Sequence, residues 1–290
     1  MTPVAALRLG REVDLQGFLD LLARLDIRHQ VSEEEGQHVL WVDEALAERV
    51  RGLYQRFPEG EAEVRRRRGS VMVVERRPPL AEQLRAAKMT LFVLIASLLV
   101  AAITALGANL ATLGWFTFLQ FEVQGDYLYF TSLAQEMAEG QWWRLVSPML
   151  VHFGWLHLLM NALWYWELGR RVERRQGPWP LLALTLLFAL VSNLAQHFTS
   201  GPSLFGGLSG VLYGLLGHVW LYQRLAPDKV YRLPPGTVGS LLIWLLVCLS
   251  GLITLLGFGQ IANAAHVGGL LIGCLTGLLG GALARRRLSA

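Results

Sequence analysis

Five polar residues that could carry out chemistry stand among apolar stretches of this 290-residue chain: His152, His157, Asn161, Ser209 and His266. A serine becomes a nucleophile when a base lies within reach, and histidine is the most common general base. Polar groups inside membrane helices are costly, so each one marks a candidate site. These residue types therefore predict acyl transfer if the fold brings the serine and a histidine together.

Ser209 lies in the segment GGLSG at positions 206–210. Glycines allow strained turns and a close approach of the backbone to a substrate, and N–H groups at a helix start can face a developing negative charge. Val211 stands where the nucleophile elbow of α/β-hydrolases has a glycine, so this is a different motif. The motif alone favours a simpler interpretation, in which small residues only permit tight helix packing.

Glycines follow His266 at intervals that place Gly269 and Gly273 on its own helix face. The segment around Ser209 has a similar series at 206, 210 and 214. Two such flat faces allow helices to approach closely. If they pack together, His266 meets Ser209 and can accept its proton. Tyr213 would then lie below the pair and support the imidazole, although an ordinary packed aromatic is the simpler interpretation.

His157 and Asn161 are four residues apart and therefore share a helix face. Together they could donate to a substrate carbonyl as an oxyanion hole, or simply form an interhelical hydrogen bond. His152 is expected to point away from this pair and to have a structural role. His197 and His218 are interpreted as incidental, because His218 has no evident partner in the sequence. The histidine spacing matches no zinc site and no carboxylate lies at this depth, so we expect a dyad without metal or cofactor.

The elements that must position these residues are predicted to be membrane helices. Hydrophobic residues make up 53% of the chain and charged residues 17%, with a mean hydropathy of +0.39, whereas soluble domains average about 25% charged residues. The two cysteines lie in apolar runs, so no disulfide framework is expected. About 20 apolar residues span a bilayer. Six stretches qualify: 89–110, 149–168, 179–198, 207–222, 237–256 and 262–284.

The distribution of charge predicts the topology. Residues 1–88 carry 15 basic and 15 acidic side chains, so the net charge of +4 lies entirely in the apolar part. Cytoplasmic loops are enriched in arginine and lysine, and here alternate loops are arginine-rich while the opposite loops hold only Arg144. Both termini are therefore expected in the cytoplasm of an inner-membrane protein, with the candidate residues near the outer, periplasmic face. The basic excess thus indicates topology rather than nucleic-acid binding.

The chain is expected to divide into four parts. Residues 1–60 predict a small α+β cytoplasmic domain, with helices at 13–25 and 43–57 and a β-hairpin of 27–32 with 38–42. The rest comprises a charged linker (61–88), a membrane domain (89–284) and a basic tail (285–290). No apolar leader segment precedes a cleavage site, so no signal peptide is expected. The linker arginines are interpreted as a solvated flank, with contact to anionic lipid as the alternative.

Taken together, these motifs resemble those of the rhomboid intramembrane serine proteases, most closely the bacterial GlpG type. The resemblance covers roughly residues 88–285 and rests on Trp143-Arg144, His152, His157-x-x-x-Asn161, GLSG at 207–210 and AHxxG at 265–269. It implies an all-α polytopic membrane protein, a six-transmembrane-helix bundle with a small α+β cytoplasmic N-terminal domain. It also implies that Ser209 is the nucleophile and His266 the general base, with His157, Asn161 and the Ser209 backbone N–H forming the oxyanion hole.

The resemblance implies supporting roles as well, for Tyr213 stacked on the catalytic histidine, Gly207, His152, and Trp143 and Arg144 as anchors of a membrane-embedded loop at 111–147. Residues 256–263 would cap the site, span five would offer a side entrance, and Glu173, after span two, would be structural. One departure is Pro148, which stands where related proteins can carry a histidine whose hydrogen bonds proline cannot reproduce.

The expected function is therefore a serine endopeptidase that cleaves single-span membrane proteins in the bilayer, near helix-weakening residues and after a small side chain. An inactive rhomboid-like protein that binds membrane clients is the first alternative, and the intact Ser209 and His266 argue against it. A small transporter ranks last, because neither an intramembrane carboxylate nor repeated halves are visible. The expected partners are membrane-protein substrates and the lipid bilayer, not nucleic acid.

Overall fold

The structure is a computed structural model that describes residues 3–58, 79–257 and 259–288. The linker arginines at 65–68, 76 and 77 lie outside the described residues, as does position 258 in the predicted cap. Contacts divide the chain into two compact units, Met1–Arg77 and Pro78–Ala290, and each unit is described by itself.

Within residues 3–58, the first unit packs two helices on one face of a three-stranded antiparallel sheet in the order β1-β3-β2. Its elements are β1 (Pro3–Gly10), α1 (Gln16–Arg24), β2 (His29–Glu34), β3 (Gln37–Asp43) and α2 (Ala47–Arg56). Phe18 and Leu22 of α1 are buried with Leu40 of β3 and Val50 of α2. The expected α+β character is confirmed, but β1 was not predicted, because its apolar residues do not alternate with polar ones.

In the part of the second unit that the structure describes, six helices have 13 residues or more and are joined by shorter elements. They are α4 (Lys88–Ile103), α7 (Trp155–Gln176), α8 (Pro178–Ser200), α9 (Ser209–Leu225), α10 (Thr237–Leu249) and α12 (Asn263–Leu288). The shorter elements are α3 (Leu80–Ala86), α5 (Leu110–Leu113), β4 (Phe121–Gln124), β5 (Tyr127–Phe130), α6 (Leu133–Ala138) and α11 (Leu252–Leu255). Part of the predicted linker is thus the helix α3.

Three predicted spans differ from the observed helices, because hydropathy continues through turns at which a helix starts or ends: the first and fifth were too long, and the second began and ended too early. After α4 ends at Ile103, Ala105 and Leu106 have positive φ values of 46° and 54°. The second stretch contains a separate turn at Ser147–Leu150, so α7 begins only at Trp155 and then runs past Glu173. In the fifth stretch, Gly251 has a φ of 77° and separates α10 from α11. Apolar composition does not reveal such turns, which depend on local backbone geometry.

Two helices of the described residues are both long and apolar enough to cross a membrane, by length and composition. They are Pro178–Ser200 and Asn263–Arg287, with mean hydropathies of 1.7 and 1.9 in their most apolar windows. The apolar helices Lys88–Ile103 and Thr237–Leu249 are shorter. The expected count of six spans therefore rests on the sequence pattern and is taken up below as a proposal.

Glycines set the distance between α9 and α12. A Cβ atom added at Gly269 would lie 2.0 Å from the Gly210 carbonyl oxygen, and one at Gly273 would lie 2.0 Å from that of Gly214. No real side-chain carbon tolerates such a contact, so the two backbones meet where only glycine fits. Gly210 and Gly214 therefore meet the glycine series of α12 as predicted, whereas Gly206 lies before α9 and approaches Pro148 and Val151 instead.

Glu173 lies within α7, not after it, and caps the helix that starts at Lys88. Its two carboxylate oxygens accept hydrogen bonds from the backbone N–H groups of Met89 and Thr90, each at 2.8 Å, and from the Thr90 hydroxyl at 2.7 Å. A helix start leaves N–H groups unpaired and favours negative charge. The carboxylate therefore joins α7 to the first turn of α4.

Replacing Glu173 with glutamine is expected to lower the free energy of unfolding by about 1–3 kcal/mol. The glutamine amide has one acceptor oxygen, but its NH₂ group would face an N–H or O–H donor of Met89 or Thr90 that needs an acceptor. The substitution also removes the negative charge at the helix start. Thermal unfolding of the purified chain in detergent would measure the loss. Glu122→Gln, an exposed position, is the matched control, and equal melting temperatures for both variants would contradict this role.

Candidate active site

Ser209 and His266, far apart in the sequence, are hydrogen-bonded to each other. The Ser209 Oγ lies 2.8 Å from the His266 Nε2. Ser209 is the first residue of α9, and His266 lies in the first turn of α12, where the glycine contacts hold the two helices together. A serine hydroxyl within 2.6–3.2 Å of an imidazole nitrogen has the geometry of a nucleophile and its general base.

Tyr213 lies against the imidazole, as the spacing from Ser209 predicted. The ring centroids of Tyr213 and His266 are 5.0 Å apart and inclined by 44°, and the Tyr213 hydroxyl donates to the Leu241 carbonyl at 3.2 Å. Among the described residues, no group hydrogen-bonds to the other imidazole nitrogen, Nδ1 of His266. The serine–histidine pair therefore has an aromatic neighbour in place of an orienting carboxylate.

Gly207 turns its backbone toward His157 and Asn161. Its φ is +114°, a conformation that favours glycine, and its N–H donates to the Pro148 carbonyl at 2.9 Å. A Cβ atom there would lie 2.7 Å from the His157 Nε2 and 3.4 Å from the Asn161 Nδ2. The buried Asn161 Nδ2 has no hydrogen-bond partner within the described ranges. An amide donor held beside a glycine turn is suited to bind a substrate oxyanion.

His152 does not point away from this group, contrary to the expectation from helix spacing. Because α7 begins only at Trp155, the five-residue separation is not a helical one. The His152 ring is buried with its centroid 5.1 Å from that of His157, and its Nδ1 hydrogen-bonds to the Leu150 carbonyl at 3.1 Å. His152 therefore packs behind His157 and holds it in place.

A small pocket opens beside the serine. Its volume is about 10 Å³, and Met149, Ala189, Phe205 and Ala262 are among the residues that line it next to Ser209. Ser192 and Asn193 also line it, and a space of this size holds about one water-sized group. The pocket therefore excludes a large side chain.

Gln196 is a contributor that the sequence did not reveal. From α8, its Oε1 accepts a hydrogen bond from the backbone N–H of Ala265 at 3.2 Å. Asn263 at the start of the same helix donates to the Cys248 carbonyl of α10 at 3.1 Å. These two side chains fix the helix start that carries His266. A polar residue within the apolar helix α8 was the available signal, but nothing in the sequence named its partner.

Trp143 and Arg144 hold the long loop before α7, as the resemblance implied. The Trp143 indole donates to the Trp115 carbonyl at 3.0 Å. The Arg144 guanidinium is buried, lies 3.0 Å from the buried Glu136 carboxylate and donates to the Gly114 carbonyl at 2.6 Å. Burial lowers the pKa of Arg144, and the charge of Glu136 opposes that shift. The loop is therefore organised around an enclosed ion pair.

Replacing Glu136 with glutamine is expected to destabilise this loop by about 3–5 kcal/mol, because it leaves the buried Arg144 charge uncompensated. Amide hydrogen exchange of residues 110–146 would report the local opening. Glu122→Gln is the matched control, since Glu122 is exposed on the same loop and its loss should cost less than about 0.5 kcal/mol. Equal protection in both variants would argue against a structural role for the pair.

His218 has partners, contrary to the expectation. Its Nε2 lies 2.8 Å from the Gln176 Nε2 and its Nδ1 lies 3.1 Å from the Thr276 hydroxyl. Gln176 in turn donates to the Tyr231 hydroxyl at 2.7 Å. These partners come from other helices and from a loop, so spacing along α9 could not reveal them. His197 packs its ring 5.0 Å from that of Phe118. In the part of the chain that the structure describes, no three histidine, cysteine or acidic side chains are grouped to hold a metal ion.

Comparison with known proteins gives two domain matches and several relatives. Residues 139–283 match the family model of the Rhomboid domain, and residues 1–68 match that of the Rhomboid N-terminal domain. Proteins named Rhomboid protease GlpG from Yersinia pestis (strain Pestoides F) and Yersinia pseudotuberculosis serotype O:3 (strain YPIII) are each 42% identical over 156 residues. That alignment covers 53% of this chain and 54% of each relative, so the chain spans about half the length of the curated relatives it matches.

Proposed function

Because the chain belongs to the rhomboid family, we propose that it is an intramembrane serine endopeptidase with Ser209 as its nucleophile and His266 as its general base. The observation that carries the proposal is the 2.8 Å hydrogen bond between the Ser209 Oγ and the His266 Nε2. The comparisons support it, since the relatives are named as rhomboid proteases.

In the proposed reaction, the Ser209 Oγ attacks a peptide carbonyl while His266 takes the hydroxyl proton. The new oxyanion accepts hydrogen bonds from His157, Asn161 and the Ser209 backbone N–H. His266 then protonates the leaving amine, and an acyl-enzyme remains. A water molecule, deprotonated by the same imidazole, releases the acyl group and restores the serine.

Gly207, Tyr213 and His152 are proposed to support this chemistry without taking part in it. Gly207 leaves the space that the oxyanion needs, because any Cβ atom there would meet the His157 ring. Tyr213 and His152 pack against the imidazoles of His266 and His157. Trp143 and Arg144 stabilise the loop that leads into α7.

The proposed substrates are single-span membrane proteins whose helix unwinds near the scissile bond. A helix hides its carbonyls, so the segment must be extended to reach Ser209, and helix-weakening residues lower the cost of unwinding. The pocket beside Ser209, with a volume of about 10 Å³, supports cleavage after a small side chain.

We further propose a six-span bundle in the inner membrane, with both termini in the cytoplasm and the site near the outer face. Residues 1–60 would form the cytoplasmic domain, 61–88 the linker, 89–284 the protease domain and 285–290 the tail. The arginine-rich alternate loops support this orientation. The helix starts that carry Ser209 and His266 would then lie at one depth.

The test uses the full chain in lipid vesicles with a single-span reporter protein. An alkyl fluorophosphonate reacts with an activated serine, which displaces fluoride and forms a stable ester. We expect one adduct, on the peptide that contains Ser209, and a loss of cleavage that parallels its formation. Labelling of another residue, cleavage that survives complete labelling, or no cleavage of any reporter would overturn the proposal.

A further inference from the structure

An apolar groove lies against the Ser147–Leu150 turn, three of whose residues line it. It is a wide-open groove with a volume of about 680 Å³, and it is lined by Ile103, Trp115, Phe116, Trp143, Met149 and Leu186, among others. This volume falls within the range of about 300–1,000 Å³ that is typical of ligand sites. The mechanism proposed above makes no use of it.

The polar side chains in the lining turn inward to the backbone. The Thr112 hydroxyl donates to the Ile103 carbonyl at 2.8 Å, the Ser147 hydroxyl to the Phe116 carbonyl at 3.0 Å, and the Trp143 indole to the Trp115 carbonyl at 3.0 Å. Their hydrogen-bonding capacity is therefore used within the protein. The surface that remains for contact with a bound molecule is therefore mainly aliphatic and aromatic.

The groove is continuous with the apolar outer surface of the helices. Ile103 on α4 is 51% exposed and Leu186 on α8 is 38% exposed, and Leu99, one turn before Ile103, is 57% exposed. Trp115 at the rim is 65% exposed, and tryptophan prefers the headgroup level of a bilayer. In a membrane, a hydrocarbon chain would enter the groove from the side without crossing water.

The wall of the groove is also a wall of the candidate active site. Met149 lines both the groove and the pocket beside Ser209. Its neighbour Pro148 accepts the hydrogen bond from the Gly207 N–H at 2.9 Å. A Cβ atom at Gly206 would lie 2.8 Å from that same carbonyl oxygen. A displacement of Met149 from the groove side would therefore act on the backbone that precedes the nucleophile.

We propose that this groove binds an acyl chain of a membrane phospholipid, and that its occupancy tunes the serine site through Met149. The inference about binding depends only on the membrane location. The effect on cleavage rests on the proposed protease function.

The binding test uses the full chain with Ser209→Ala in phosphatidylcholine vesicles that contain a phosphatidylcholine with a diazirine halfway along one acyl chain. After illumination, labelled peptides are mapped by mass spectrometry. We expect labelling at 112–116 and 143–150. Ile103→Trp and Leu186→Trp, which fill the groove from opposite walls, should reduce that labelling at least fivefold. Leu99→Trp is the matched control, since it adds the same ring one helical turn away, and it should leave the labelling unchanged.

Equal labelling of the groove peptides in Ile103→Trp and Leu99→Trp would overturn the proposal. So would a result in which a diazirine on the span of a bound reporter protein labels these peptides and the lipid does not. In the Ser209 background, Ile103→Trp should change the cleavage rate at least threefold relative to Leu99→Trp, and identical rates would remove the coupling through Met149. The labelling needs no proteolysis, so its outcome is separate from that of the fluorophosphonate test.

Discussion

Replacing Ser209 with alanine is expected to lower kcat/KM for a single-span reporter by about 10⁴-fold or more. The change removes the only side-chain oxygen that hydrogen-bonds to the His266 Nε2 within the described ranges, at 2.8 Å. Losses of this size follow when the nucleophile of a serine hydrolase is removed, because the remaining donors stabilise the oxyanion without forming an acyl-enzyme. Cleavage of the reporter in lipid vesicles, followed by gel and mass spectrometry, measures the effect.

The corresponding His266→Ala variant distinguishes a working dyad from a chance contact. Two groups that act as a unit are strongly non-additive, so the double variant should be no slower than either single variant. Ser97→Ala is the matched control, since the Ser97 hydroxyl bonds only to Val93 of its own helix and should keep the wild-type rate. Additive losses in the double variant, or cleavage by Ser209→Ala above one hundredth of the wild-type rate, would contradict the dyad.

The meeting of Ser209 and His266 could be predicted from the sequence because both partners are marked by glycine periodicity. A repeat of small residues specifies how closely a helix can be approached and on which face. Two such repeats, each aligned with one polar residue, nearly determine how the two helices pack and therefore where Ser209 and His266 meet. The common orientation of His157 and Asn161 could also be predicted, because residues four apart in a helix lie on the same face.

Other parts of the site were hidden because their partners come from distant elements. Gln196 meets Ala265, Glu136 meets Arg144, and His218 meets Gln176, each pair across two different elements. Spacing within one element carries no information about such contacts. His152 shows a different failure, because the prediction extended a helix through Gly154, whose φ of 102° places the histidine before the helix start.

Replacing Gly269 with alanine is the second substitution for which we expect a large effect. The added Cβ atom would lie 2.0 Å from the Gly210 carbonyl oxygen and 2.9 Å from the Ser192 Oγ. The first contact is with backbone, which cannot rotate away, so α9 and α12 must separate by about 1 Å or more. Gly210 directly follows Ser209, and the displacement therefore stretches the bond to His266. A misplacement of about 1 Å costs on the order of 10²-fold in rate, and overpacking costs about 1–3 kcal/mol of stability.

In Gly269→Ala, the loss of cleavage rate and the loss of stability should appear together, because both arise from the separation of α9 and α12. Gly239→Ala provides the control, because a Cβ atom at that helical position meets no described atom within 4 Å. Alanine there is expected to be neutral or to stabilise α10 by up to about 1 kcal/mol, since glycine is the poorer helix former. Cleavage rate and thermal unfolding are measured on both variants in the same vesicles and detergent. A Gly269→Ala protein that unfolds earlier yet cleaves at the wild-type rate would show that the glycine contact stabilises the helix pair without setting the distance between Ser209 and His266.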